Sequence, residues 1–437
     1  MLLALALVAC ANDDGGGSPA DSSPGVTDGE VVFGSSLALS GHAAYLGTQA
    51  LRGAMCYINE VNASGGVAGR TIRIIAYDDA YDPPQCLRNT QRLIVDDQVF
   101  GLFCYVGTPT TVKITPFLDK VRIPLLGIVT GANALRVPFN RYIINVRASY
   151  YQETEAAVEH LVKDLGLSRI AVFYQYDAYG FDGLTGTELA LKNLGLETVA
   201  RGSYVRGTLN VADALDRIER SGAQAVVMIA TSEPCAEFIH MAEGRGYTPL
   251  FYTVSFVGAD ELARRLGRTN ERIIMSQVVP PPVGDEASRA LLGEAVQYPE
   301  LLRKYFPNEP PSFVGLEGYL NARVLVEGLR RAGRDLTREG FIDALESMPE
   351  LHLGPGLSVA FSPQDHQGMN QVYFTWLRDG RFVLLDDWPA LRRVVRPDEP
   401  DAVPDAAPRA APADHTGSQA GPQADPLDGP QAGSATP

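Results

Sequence analysis

"VFGLFCYVGTPTTVKITP", residues 99–116, carries the decision about the fold. Five residues from Val99 to Phe103 form a short apolar run of the kind that fills a buried strand. A loop of small and Thr residues follows, and then a helical pattern. A strand that ends in such a loop and feeds a helix is one βα unit, and the same order recurs on both sides of it.

Upstream, "EVVFGSSLAL" (30–39) reads as a strand, "GTQALRGAMCYINEVNASGG" (47–66) as a helix stopped by its glycines, "RTIRIIAYDD" (70–79) as a strand and "PPQCLRNTQRLIVDD" (83–97) as a helix. Downstream, "IPLLGIV" (123–129) adds a strand. After "YIINVRASY" (142–150) a second series begins with the strands "RIAVFYQ", "ETVARGSY", "AQAVVMIA" and "PLFYTVS". These alternate with the helices "GFDGLTGTELALKNLG", "NVADALDRIERSG" and "PCAEFIHMAEGRG". "ERIIMSQVVPPP" (271–282) is a further strand, "SFVGLEGYLNARVLVEGLRRAG" and "TREGFIDALESM" are helices, and "QVYFTWL" with "RFVLLDDW" form a hairpin around "RDGR". Alternation of this kind gives right-handed βαβ units and parallel sheets covered on both faces. The expected fold class is α/β, with two doubly wound, Rossmann-like lobes and a cleft between them. Ligands of open parallel sheets bind beyond the carboxyl ends of the strands, which is where the opening loop lies.

The chain has 437 residues, 45% of them hydrophobic, enough for more than one core. Its formal net charge is −15 and its basic residues are scattered, so nucleic acid is not an expected partner, because phosphate binding needs a basic stripe. No P-loop, dinucleotide fingerprint or G-x-S-x-G elbow is present. The six His residues (42, 160, 240, 352, 366, 415) lack ligand spacing, so neither a metal nor a cofactor is expected and an enzyme is the weakest reading. Asp78, Asp79 and Asp82 in "YDDAYDPP" suggest either a metal or, more simply, caps and turns for the helix that starts at the prolines.

"MLLALALVAC" (1–10) is too short to cross a bilayer. It fits the end of a bacterial lipoprotein signal, with Cys10 in the lipobox as the lipidated residue, though no basic n-region precedes it; a chance apolar start is the other reading, and if it is a signal the true start lies upstream. Residues 11–28 read as a flexible tether and 391–437 as a disordered Pro/Ala/Gly-rich tail. Of the remaining cysteines, Cys56 and Cys235 fall on apolar helix faces. Cys86 and Cys104, near one edge of the same sheet, either form a disulfide or stay as buried thiols.

The loops "LALSGHAAYLG", "GLFCYVGTPTT" and "YDAYGFDGLTG" at their strand ends, with "NASGGVAGR" after the first helix and "GLEGYLNARVLVEGLRRAG" late in the chain, resemble the leucine/isoleucine/valine-binding family of type I periplasmic solute-binding proteins. The resemblance covers about residues 30–388. It implies two lobes joined by three crossovers near Arg147, Val278 and Leu357: lobe I from 29–146 plus 279–357, lobe II from 147–278 plus 358–390. It also implies a small-molecule ligand closed between them and delivery to an ABC permease in the inner membrane, the protein itself held at the periplasmic or cell-envelope face through its lipid anchor.

Carried over by position, the family's carboxylate-binding hydroxyl falls on Thr108, the small-residue loop after the fourth strand on Thr130, Gly131 and Ala132, and the cleft tyrosine of the second lobe on Tyr179. Thr108 has a plainer reading as a helix cap, and Tyr179 as a cover for the start of its helix. Tyr45, Tyr105, Tyr150, Tyr151 and Phe256 fall at other strand-end loops or the first crossover and suit an aromatic-walled site; Ser232 and Gln277 complete the candidate ligand-binding set. The acid that accepts an ammonium group in amino-acid-binding members falls on Ser255. A buried ammonium without a carboxylate is costly, so the expected ligand is a carboxylate or amide lacking an α-amine. Glu233, Asp182 or Glu317 supplying the acid from elsewhere keeps the amino-acid reading open. Arg147 either binds a distal anion or pairs with an acid across the crossover. A ligand-sensing protein of the same fold, signalling to a membrane receptor or regulator, is the alternative to transport.

Overall fold

The computed structural model describes residues 23–398 apart from 268–270, 285 and 355–356. In chain order the first series is β1 (Glu30–Leu37), α1 (Ala44–Ala63), β2 (Thr71–Asp78), α2 (Pro83–Val95), β3 (Gly101–Phe103), α3 (Thr108–Val121), β4 (Leu125–Leu126) and β5 (Ile143–Ile144). The second is α4 (Tyr150–Glu159), β6 (Ile170–Gln175), α5 (Ala178–Asn193), β7 (Ala200–Tyr204), α6 (Ala212–Arg220), β8 (Ala225–Ile229), α7 (Ser232–Gly244), β9 (Leu250–Thr253), α8 (Ala259–Leu266) and β10 (Ile273–Gln277). There follow α9 (Glu286–Leu292), α10 (Tyr298–Tyr305), α11 (Phe313–Ala332), α12 (Arg338–Glu346), β11 (Leu351–Gly354), β12 (Leu357–Val359), β13 (Tyr373–Arg378), β14 (Arg381–Leu384) and α13 (Trp388–Val395).

One sheet has the order β2-β1-β3-β4-β5 and is parallel throughout. The other has the order β14-β13-β10-β9-β8-β6-β7, parallel except for the hairpin β13–β14 at its edge. This is the two-lobed α/β architecture that the alternation implies. Its central strands are buried on both faces, and β8, "AVVMI", is buried at all five positions, which is why they read as unbroken apolar runs.

In the first sheet β1 leads leftward to β2, and β2 leads back past β1 to β3. With right-handed crossovers, α1 lies on one face and α2 and α3 on the other. α11 packs along α1, and α2 packs on α3. Three glycines make the first of these contacts close. A Cβ added at Gly53 would lie 1.8 Å from the Gly315 carbonyl oxygen, and one at Gly318 would lie 2.0 Å from that of Ala50.

Two expectations need correction, and one open alternative is decided. The segment expected to be a tether is already tied down at its end, since Val26 bridges to Val31 and Arg70 Nε donates to the Thr27 carbonyl at 2.6 Å. The segment expected to be a disordered tail begins with a helix, because α13 buries Leu391 and Val395; residues 399–437 lie outside the described residues. Cys86 and Cys104 are free thiols. Cys86 sits on α2 beside Asp79, whereas Cys104 lies within electrostatic reach of Glu317 on α11.

Candidate functional site

Each sheet reverses its strand order once, between β1 and β3 and between β6 and β8. The loops beyond those strand ends are where an open α/β sheet offers a crevice. Here the two crevices face each other. Tyr45 Oη donates to Asp260 Oδ2 at 3.1 Å, and the Asn133 amide donates to both oxygens of Asp182 at 2.9 and 3.1 Å. Between these contacts the rings of Tyr150, Tyr179 and Phe256 gather, with centroids 5.3 Å apart for Tyr150–Tyr179 and 4.9 Å for Tyr179–Phe256.

On the first-sheet side the hydroxyls form a chain. Thr108 and Thr130 Oγ1 lie 2.7 Å apart, and Thr130 donates to Tyr150 Oη at 3.1 Å. Thr108 is the first residue of α3; the cap position belongs to Gly107, whose φ of 99° needs glycine and which supplies no capping side chain. The first-turn amides of α3 therefore start at a buried hydroxyl pair, at the positive end of the helix. Gly131 is there for room: a Cβ would meet the Tyr150 ring and amide at 2.6 Å.

On the other side stands a fully buried ionic cluster. Arg147 Nη2 donates to Glu153 Oε1 at 2.7 Å and to Ser255 Oγ, and its Nη1 faces Glu317 at 3.3 Å. Ser255 donates its hydroxyl to Glu153 at 2.9 Å and its amide to the same carboxylate at 2.8 Å. Ser276 also donates to Glu153, at 2.5 Å. Burial alone would pull the Arg147 guanidinium down, but the two glutamates outweigh it and hold it charged; burial pushes the Glu317 carboxyl up despite Arg147.

Residues 30–381 match the periplasmic binding protein family. The chain belongs to that family. This periplasmic binding protein is 34% identical to a possible leucine/isoleucine/valine-binding protein from Rhodopirellula baltica SH 1, with a TM-score of 0.78 over 83% of this chain and 97% of that one. A substrate-binding periplasmic protein from Ralstonia solanacearum is 30% identical, with a TM-score of 0.75 over 81% of this chain and 99% of that one. Leu/Ile/Val-binding protein homolog 7 of Brucella abortus (strain 2308) is 25% identical over 310 residues, 69% of this chain and 77% of the relative. The binding protein is thus of the branched-chain amino-acid-binding type, a family of extracytoplasmic binding proteins.

The structure of the binding protein brings together Thr108, Thr130, Gly131, Ala132, Tyr150 and Tyr179, all buried. Tyr179 donates to the Ala230 carbonyl at 3.1 Å. Ser232 opens α7 at the β8 end of the same crevice, and Tyr45 closes its rim. Tyr105 is a correction: two residues past the end of β3, it points to α2, where its hydroxyl meets that of Thr90 at 2.9 Å inside the first lobe. Ser255 is placed at the cleft but its hydroxyl is taken by Arg147 and Glu153. Gln277, at the end of β10, keeps an Nε2 without a partner among the described residues. The acids of "YDDAYDPP" are spent on caps and turns: Asp78 accepts from Leu39, Ser40 and Ala80, Asp79 from Ser36 and Tyr81, and Asp82 from Gln85.

Glu153, Tyr81 and Thr231 escape the sequence reading. Glu153 looks like an ordinary helix-surface acid in "YYQETEAAVEH", and its burial depends on the partners that Ser255 and Ser276 bring from distant segments.

Proposed function

We propose that this protein is the extracytoplasmic solute-binding component of an ABC importer, lipid-anchored at Cys10. It captures a small carboxylate-containing ligand between lobe I (29–146 plus 279–357) and lobe II (147–278 plus 358–390). The observation that carries the reading is the Thr108–Thr130 hydroxyl pair, 2.7 Å apart and buried at the start of α3, where the other lobe closes over it. Hydroxyl donors at the positive end of a helix suit a carboxylate. Ligand that contacts both lobes favours the closed form and shifts the open/closed equilibrium toward it.

The ligand in this reading lacks an α-amine. At Ser255, the position that implies an ammonium site by resemblance, Arg147 already supplies a cation to Glu153. The substitute acids are engaged elsewhere: Glu317 with Arg147, Asp182 with the Asn133 amide, and Glu233 with Arg265 at 3.3 Å.

The test is a thermal-shift screen of the protein against matched panels of α-amino acids and of the same acids without the amine, since a ligand bound only to the native state raises its stability. Stabilisation by the amine-free acids alone is expected. Stabilisation by amino acids alone overturns the ligand class and leaves solute binding standing.

A further inference from the structure

The loop between β2 and α2 holds a feature that the carboxylate site does not use. Ala80 and Tyr81 both have left-handed backbones, with φ of 49° and 62°, a conformation that costs a non-glycine residue on the order of 1–3 kcal/mol. Two side chains hold them there, as Asp78 Oδ1 accepts from the Ala80 amide and Asp79 Oδ1 from the Tyr81 amide, each at 2.9 Å. The result is that the Tyr81 ring leaves its own lobe. It packs on His42 at 5.4 Å and reaches Phe256 of the other lobe at 6.1 Å, with the Arg206 guanidinium 5.9 Å from its centroid.

The ring also presses on the start of α3. A Cβ at Gly107 would lie 2.1 Å from it, so the residue before Thr108 is glycine partly to admit Tyr81. Tyr81 is 1% exposed, yet its hydroxyl has no partner among the described residues. Gln175 of β6 faces it while accepting from Tyr204 Oη at 2.8 Å and donating to Asp177 at 2.7 Å. Across the cleft Thr231, also 1% exposed, has an Oγ1 without a partner, and its amide donates to the same Tyr204 hydroxyl at 3.2 Å. Two buried hydroxyls, one from each lobe, thus flank the Tyr204–Gln175 pair without a well-formed hydrogen bond of their own among the described residues. A buried hydroxyl left this way favours a ligand that completes it.

We propose that Tyr81 is a ligand-contacting, specificity-determining residue, and that its hydroxyl and that of Thr231 receive a second polar group of the ligand. The ligand class is then a carboxylate that also carries a hydroxyl or amide, not a plain aliphatic acid. This rests on the solute-binding reading above and narrows it.

The experiment is titration calorimetry of the full chain with paired acids: hexanoate and 6-hydroxyhexanoate, pentanoate and glutarate monoamide, phenylacetate and 4-hydroxyphenylacetate. Wild type binds the polar member of at least one pair about tenfold more tightly. Tyr81→Phe and Thr231→Val bring that pair within about twofold. The two variants come from different lobes, and a thermal melt of each without ligand shows whether it folds. Equal binding of all pairs by wild type, or a preference that both folded variants keep, overturns the proposal and leaves solute binding intact. Failure of every acid to bind overturns the carboxylate reading and this inference with it.

Discussion

Arg147 and Glu153 meet at 2.7 Å with side chains 1% and 0% exposed, and Arg147 lies where the chain first passes from one sheet to the other. Removing one partner of a buried pair leaves the other charge without compensation, which costs about 3–5 kcal/mol. Arg147→Met is expected to lose that much in urea denaturation. Glu317 is different, because burial already favours its neutral form. A carboxyl whose pKa is raised by folding stabilises fully below its ordinary value and loses that contribution as pH rises through the folded value. Glu317→Gln is therefore expected to cost less than Arg147→Met in the same denaturation assay. It should also flatten the decline in stability with rising pH above 4.5, the carboxyl's ordinary value. An equal loss in both variants at neutral pH would refute the division of roles.

Thr108→Val keeps the shape of the side chain and removes its hydroxyl. The fold has little at stake, since Gly107 and not Thr108 caps α3. A hydrogen bond to a charged ligand group contributes about 1.5–3 kcal/mol, so affinity for the best acid of the screen is expected to fall roughly ten- to hundredfold with little change in the ligand-free melting temperature. Unchanged affinity would remove Thr108 from the site.

The strands and helices that alternate were legible because buried parallel strands are apolar runs and their helices are amphipathic. The hairpin β13–β14 announced itself through "RDGR". Less legible were α8, a short helix between β9 and β10, α9 and α10, which lie in the Pro- and charge-rich stretch after β10, and the small hairpin β11–β12, whose two strands are four and three residues long. At the site, hydroxyls on strand-end loops could be found from position along the chain. Partnerships could not: Tyr105 neighbours the loop in sequence, but the left-handed backbone of Cys104 turns the chain so that Tyr105 meets Thr90 on α2. Tyr81 was hidden for another reason, since two consecutive left-handed residues have no sequence signature outside glycine and asparagine.

The contact of α1 with α11 supplies a stability test away from the cleft. The atoms that a Cβ at Gly53 would meet are backbone, at 1.8 Å from the Gly315 oxygen and 2.6 Å from its carbonyl carbon, so no rotamer change relieves the clash. Gly53→Ala is expected to destabilise by about 1–3 kcal/mol or more through forced separation of the helices, despite the higher helix propensity of alanine. Gly65→Ala is the wrong control, because φ there is 99°. Gly244→Ala near the end of α7 meets nothing within 4 Å and should be neutral or slightly stabilising in the same denaturation assay.

The cysteines allow a decision between two states that differ in energy by a measurable amount. A bridge between Cys86 and Cys104 would close a loop of about the length for which cross-linking contributes roughly 3 kcal/mol, and reduction would then lower the melting temperature by several degrees. In the structure both are free thiols, Cys86 on α2 beside Asp79 and Cys104 just after β3 within electrostatic reach of Glu317 on α11. Both thiols are fully buried, and burial pushes each well above the ordinary thiol range, while Cys56 is pushed up to about 12. Buried thiols of this kind react slowly because the thiolate is the reactive form. The expectation is a melting temperature unchanged by reductant, no labelling of Cys56, Cys86, Cys104 or Cys235 by a thiol reagent in buffer, and labelling of all four in denaturant without prior reduction. Labelling of Cys86 and Cys104 only after reduction would show that the bridge exists.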